Sequence, residues 1–170
     1  MLMRRIISII VAVTVFCSCQ QQQGPVSAEA ILQPAKGGDF RGVFLGDKPT
    51  AIKRREEASS VYSMPDELIY RFESNESDSA WYEISYSFNE DGLNHISLDV
   101  YPKSRELREH LLADFEHYYD ERYGNSKKNQ TKTEWRGLTT QGKYVTVTLM
   151  PESSTHKNDM LRLVFNETNP

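Results

Sequence analysis

Glu106, His110, Asp114, His117 and Glu121 recur at i, i+4, i+8, i+11 and i+15, which puts two imidazoles and three carboxylates on one helix face. Such residues bind divalent metals or move protons. Their spacing limits them, because the two histidines lie two turns apart, about 10 Å at ~1.5 Å per residue, and cannot share one ion. The chain has no His-Glu-x-x-His pattern, the helical arrangement that does close on zinc. A solvated helix face with His–carboxylate pairing is the expected outcome. Ser154, His156 and Asp159 are the residue types of a hydrolytic triad. Crowded into one turn, their side chains diverge instead of forming a relay. A Gly-x-Ser-x-Gly elbow is also missing. The sequence thus gives no catalytic residue, no metal ligand set and no cofactor.

Charge narrows the partners. The chain carries 20 basic and 24 acidic residues for a net charge of −4, and nucleic acid selects for the opposite balance. Lys127, Lys128 and Lys132 are read as solubilising charges. Arg54-Arg55-Glu56-Glu57 is read as a solvated helical face with i,i+3 and i,i+4 pairing. Both cysteines, Cys17 and Cys19, lie in the first nineteen residues, so nothing beyond them can form a disulfide or a thiolate metal site.

The elements follow from hydrophobic period. Tyr82, Ile84, Tyr86 and Phe88 alternate with Glu83, Ser85 and Ser87, and Ile96, Leu98 and Val100 resume the alternation after Asn89-Glu90-Asp91-Gly92. This predicts a β-hairpin over 81–101. Further strands are expected over 68–72, 131–137, 143–150 and 160–166, with an extended stretch around Phe40, Val43 and Leu45. Leu107, Leu111, Phe115, Tyr118 and Arg122, widened by Leu112 and Tyr119, predict a helix over 104–123, capped by Ser104 and closed at Gly124. A shorter helix is expected over 50–59, with Asp47 as its cap and Pro49 in its first turn.

In order these elements read helix, three strands, helix, three strands. The expected fold is α+β, a six-stranded antiparallel sheet with two helices on one face and the other face wet. The pattern resembles the tandem αβββ plan of the β-lactamase-inhibitor-protein-like fold. Gly42-Val43-Phe44-Leu45-Gly46-Asp47, Tyr123-Gly124 and Trp135 are similar to motifs in small uncharacterised lipoproteins of Gram-negative bacteria. At the N-terminus, Arg4-Arg5 precedes an apolar run from Ile6 to Phe16. The run is short of the ~20 residues that span a bilayer, and the pair reads as an export signal. Phe16-Cys17-Ser18-Cys19 resembles a bacterial lipobox, which implies cleavage after residue 18 and acylation of Cys19; cleavage before Cys17 is the alternative, disfavoured by the bulky Phe16 in front of it. The expected organisation is a signal peptide over 1–18, a flexible spacer over 19–38, whose stretch from Ala28 to Leu32 admits a short amphipathic turn, and one domain over 39–167.

The function expected from these features is a non-enzymatic, lipid-anchored module of the cell envelope, on the outer membrane. It would bind a protein partner and no nucleic acid. The alternative is a small envelope hydrolase or metal-dependent enzyme. The expected partner surface is the open sheet face, where Trp81, Tyr101 and Tyr144 point outward among Arg71, Glu83 and Asp99.

Overall fold

The computed structural model describes residues 26–56, 59–73, 80–152 and 160–168. Residues 1–18, expected as a signal peptide, Cys19, and the Ser154, His156 and Asp159 group lie outside the described residues. Among them the chain runs α1 (Ala28–Leu32), a 3₁₀ turn (Pro34–Lys36), α2 (Pro49–Arg55), β1 (Tyr62–Ser63), β2 (Glu67–Glu73), β3 (Trp81–Asn89) and β4 (Gly92–Tyr101). It continues through α3 (Arg105–Tyr123), β5 (Lys127–Lys128), β6 (Thr133–Leu138), β7 (Tyr144–Glu152) and β8 (Met160–Glu167). The molecule is α+β, built on one antiparallel sheet in the order β1-β2-β3-β4-β8-β7-β6-β5. Each half of the sheet is a meander, and the last strands of the halves, β4 and β8, meet in the middle.

The sheet has eight strands where the hydrophobic pattern predicts six, and three α-helices stand where it predicts two. The additional strands, β1 and β5, form the two edges and are two residues long, too short to show a period. The additional helix, α1, lies in the stretch expected as spacer. Ser27 caps it by accepting from the Ala30 amide, and Ala28, Ile31 and Leu32 are buried. Packing against the core extends back to Val26.

One sheet face is apolar because strand alternation makes it so. Leu68 and Tyr70, Ile84 and Tyr86, Leu98 and Val100, Leu163 and Phe165, Val147 and Leu149, and Trp135 are all buried on it. α3 brings Leu107, Leu111, Phe115 and Tyr119 to this core, and the Ser104 hydroxyl caps it by accepting from the Leu107 amide. Ring contacts fix the layers. Phe165 meets Phe40 at 5.3 Å and Tyr119 at 5.8 Å, so the segment before α2 and helix α3 cover the same face. Phe40 and Val43 form one isolated bridge, a tight turn in place of the expected extended stretch.

The 81–101 hairpin forms as the alternation predicts. Asn89 Oδ1 accepts from the amides of Asp91 and Gly92 at 3.0 and 3.1 Å. Gly92 sits at φ +124°, where a Cβ would overlap the Gly46 carbonyl, so the turn needs glycine for both reasons. The hairpin tip is held by Gly46 donating to Leu93 O and Leu93 donating to Asp47 O.

Candidate functional site

The face turned away from the helices is a polar surface carried by all eight strands. Register places one row straight across it, Tyr62, Ile69, Ser85, Ser97, Val164, Thr148, Glu134 and Lys127. The next row is Arg71, Glu83, Asp99, Arg162 and Met150. Beyond it Trp81 stands opposite Tyr101. Small hydroxyl side chains carpet the centre, and the bulky and charged groups gather toward one end.

At that end the side chains form an ordered stack. The Trp81 and Tyr101 rings lie 3.8 Å apart and 7° from parallel, and the Arg71 guanidinium covers Trp81 at 5.2 Å. Arg71 donates to Glu83 Oε2 at 2.9 Å. One strand further in, Arg162 grips Asp99 with both arms of its fork, at 2.7 and 3.0 Å, and touches Glu152 at 3.4 Å. The Asp99 pairing holds the Arg162 pKa above its ordinary value against the opposing effect of burial. The Tyr101 hydroxyl is raised first by burial and then by the Asp99 and Glu83 carboxylates. Exposed ion pairs contribute about 0–1 kcal/mol each to stability. The cluster is therefore better understood as a surface whose side chains are already ordered than as a device for folding.

Five of the six residues expected to form a partner surface, Trp81, Tyr101, Arg71, Glu83 and Asp99, are thus brought together. Tyr144 is not. It opens β7, six residues before Met150, about 20 Å from the ion-pair row at ~3.3 Å per residue. There it is 47% exposed beside Leu138, its cross-strand partner, in an open groove with Arg136, Thr146 and Thr168. Outward alternation identifies the face of a residue but not its distance along the sheet, which depends on register. Arg162, absent from the expected set, completes the cluster. Its signal was the one charged residue within the apolar run from Met160 to Phe165.

The α3 stripe behaves as its spacing predicts. His110 pairs with Asp114 at 3.5 Å and His117 with Glu121 at 3.4 Å, all on the solvent side. Glu106, fully exposed, is held below the usual carboxylate range by hydrogen bonds from its own backbone amide and Ser104. Among the described residues no group of three or more His, Cys, Asp or Glu stands where it could hold a metal ion. Lys128 and Lys132 pair with Glu116 and Glu134.

A second polar cluster is internal. Arg41, at φ +50°, lies under the N-terminal segment with 3% of its side chain exposed, paired with Glu56 at 2%. Its fork reaches both Glu56 oxygens at 3.2 and 3.0 Å, donates to Ile31 O at 2.5 Å and stacks on Phe72 at 4.7 Å. Tyr86 donates its hydroxyl to Glu56. Burial alone would lower the Arg41 pKa, but Glu56 more than offsets that and the net shift is upward. Burial, then Glu56, pushes the Tyr86 hydroxyl well up. Glu56 is thereby corrected from a solvated face residue to a buried partner. Its neighbour Arg55 turns to Asp47, and Glu57 lies outside the described residues. Gly37-Gly38-Asp39-Phe40-Arg41-Gly42 carried the overlooked signal. A Cβ at Gly38 would stand 2.6 Å from Val43 O, so these glycines close a compact turn. Asp39 braces that turn, accepting from Leu45 N at 3.0 Å.

Compared with known proteins, the chain matches no family model, no curated protein and no solved structure. Among the described residues no helix is long and apolar enough to cross a membrane.

Proposed function

We propose that this chain is a non-enzymatic binding module of the bacterial envelope, lipid-anchored at Cys19, on the outer membrane, that docks a protein partner on its open sheet face. The carrying observation is the Arg71–Trp81–Tyr101 stack beside Arg162–Asp99, on a face that no described element of the chain covers. Trp, Tyr and Arg are the types that dominate binding energy at interface centres. Here their rotamers are already fixed by one another, which lowers the ordering cost of association. Both faces of the Trp81 ring are occupied, one by Arg71 and the other by Tyr101. Partner contact at Trp81 therefore falls on its ring edge and on the Arg71 guanidinium, which suits a polar protein surface. The order of one helix followed by one meander in each half, with β1 and β5 as short added edges, also supports the resemblance to the tandem αβββ plan.

The cluster predicts a specific loss. Trp81→Ser combined with Tyr101→Ser should reduce crosslinking of the chain to its envelope partner by at least about a hundredfold, since a true anchor contributes ~2 kcal/mol or more. The check is crosslinking in intact cells, with the melting transition of the purified variant compared alongside. An undiminished crosslink from the folded variant would move the partner site off this face.

Anchoring has its own test. Acyl chains gain ~0.8 kcal/mol per buried CH₂, so several chains on one cysteine hold firmly. Cys19→Ala should shift the chain from the membrane fraction to the soluble fraction of the native host. If wild type and variant both remain membrane-bound at the same uncleaved mass, lipid anchoring at Cys19 is wrong.

A further inference from the structure

The two edges of the sheet are built differently. Both end in a two-residue strand, but β5 is Lys127–Lys128, with both lysines exposed and Lys128 drawn to Glu116 at 2.7 Å. Lysine on an edge strand discourages a further strand. The β1 strand itself, Tyr62–Ser63, carries no lysine. Val61, Tyr62 and Met64 are 58%, 45% and 49% exposed, three of the five large exposed hydrophobics among the described residues. β1 also covers only Leu68 and Ile69 of the seven residues of β2. Outside Tyr70–Glu73 no strand is paired among the described residues.

We propose that the β1 edge takes up an extended segment of a partner protein as an added strand, one that alternates apolar with acidic side chains. The backbone groups on the outer side of an edge strand are a template for strand addition, and side chains at alternate positions then confer specificity. On the open-face side the added strand meets Tyr62, whose register partner is Ile69, and Met64, so apolar side chains fit there. On the helix side it meets the basic end of α2. Lys53 Nζ donates to Ser63 Oγ at 2.8 Å, which holds an ammonium at the edge, and Arg54 is exposed beside it. Arg55 is already engaged by Asp47. A carboxylate on the added strand matches Lys53 and Arg54. A second copy of this chain does not, because two β1 edges paired antiparallel would bring both Lys53 ammonium groups toward the symmetry axis. The inference deepens the protein-binding reading and rests on it, adding the mode of docking and the chemistry of the docked segment.

The test uses the full-length chain in detergent with two short capped peptides, one alternating valine with glutamate and the other valine with lysine. The valine–glutamate peptide should bind at least about tenfold more tightly by isothermal titration, with slowed amide exchange at Ser63. Ser63→Pro, which cannot donate to an added strand, should abolish binding, and Lys53→Glu should reverse the preference. If Ser63→Pro unfolds the chain, Tyr62→Asp with an unchanged melting transition serves in its place and should weaken the valine–glutamate peptide about tenfold or more. His117→Ala, on the exposed face of α3, should leave peptide affinity unchanged; peptide titration reports the edge and the envelope crosslink reports the open face, so the two readings fail separately. Equal affinity for both peptides, binding that survives the edge variants, or a dimer of the chain that they dissociate would each overturn the proposal.

Discussion

Replacing Phe115 by alanine is expected to lower the unfolding free energy by about 3–5 kcal/mol, the range for an aromatic removed from a packed core. Phe115 is fully buried at the centre of α3. It shares one core with Leu111 from the same helix and with Ile84, Leu98 and Val147 from three strands of the sheet. Collapse around the missing ring would require α3 to settle toward the sheet, and its first turn is fixed by the Ser104 cap. Much of the cavity should therefore persist. A domain of this size has ~5–15 kcal/mol in total, so the variant should melt at markedly lower denaturant with the same slope. A loss under about 1 kcal/mol would mean that the opposite face of α3 meets the sheet.

The second large effect concerns the buried ion pair. Glu56→Ala should cost about 3–5 kcal/mol, because it strands the Arg41 guanidinium without its counter-charge. Arg41 would keep the Ile31 carbonyl and the Phe72 ring, but neither neutralises a charge that is 3% exposed. Tyr86 would lose its acceptor at the same time. Replacing the cluster together, as Arg41→Met, Glu56→Leu and Tyr86→Phe, should recover most of the loss, since burying apolar groups of similar size avoids the desolvation of a charge pair. Denaturant melts of the single and triple variants check both parts. A Glu56→Ala loss within about 0.5 kcal/mol of zero would place that carboxylate in solvent.

The contrast between these sites shows which features a sequence carries openly. The 81–101 hairpin and α3 are long enough for their period to show, and their inward faces agree with the pattern. Tyr62–Ser63 and Lys127–Lys128 have no period to read, and they exist because a neighbouring strand offers them an edge. α1 coincides with the amphipathic turn legible at Ala28 to Leu32, but five residues are too few to hold a helix alone, and its packing beside α3 is a tertiary effect that the local pattern does not show. Glu56 sits in a run of charges that looks solvated, and only its distant partner Arg41 makes its burial tolerable. At the candidate site, alternation was enough to put Trp81, Tyr101, Arg71, Glu83 and Asp99 on the open face. The hairpin itself sets Trp81 against Tyr101 and Glu83 against Asp99, and the β2–β3 register adds Arg71. The inclusion of Arg162 and the exclusion of Tyr144 depend on the β4–β8 and β7–β8 registers, which no local pattern encodes.

The central claim is that the partner sits on the open sheet face. The most direct measurement is site-specific photocrosslinking in intact cells, with a photoreactive phenylalanine analogue introduced at Ser97 in the middle of that face, and separately at Glu121 on the exposed stripe of α3. The account predicts a partner crosslink from position 97 that disappears when Trp81 and Tyr101 are both serine, and none from position 121. A crosslink from position 121 with none from position 97 would contradict it and assign binding to the helix side.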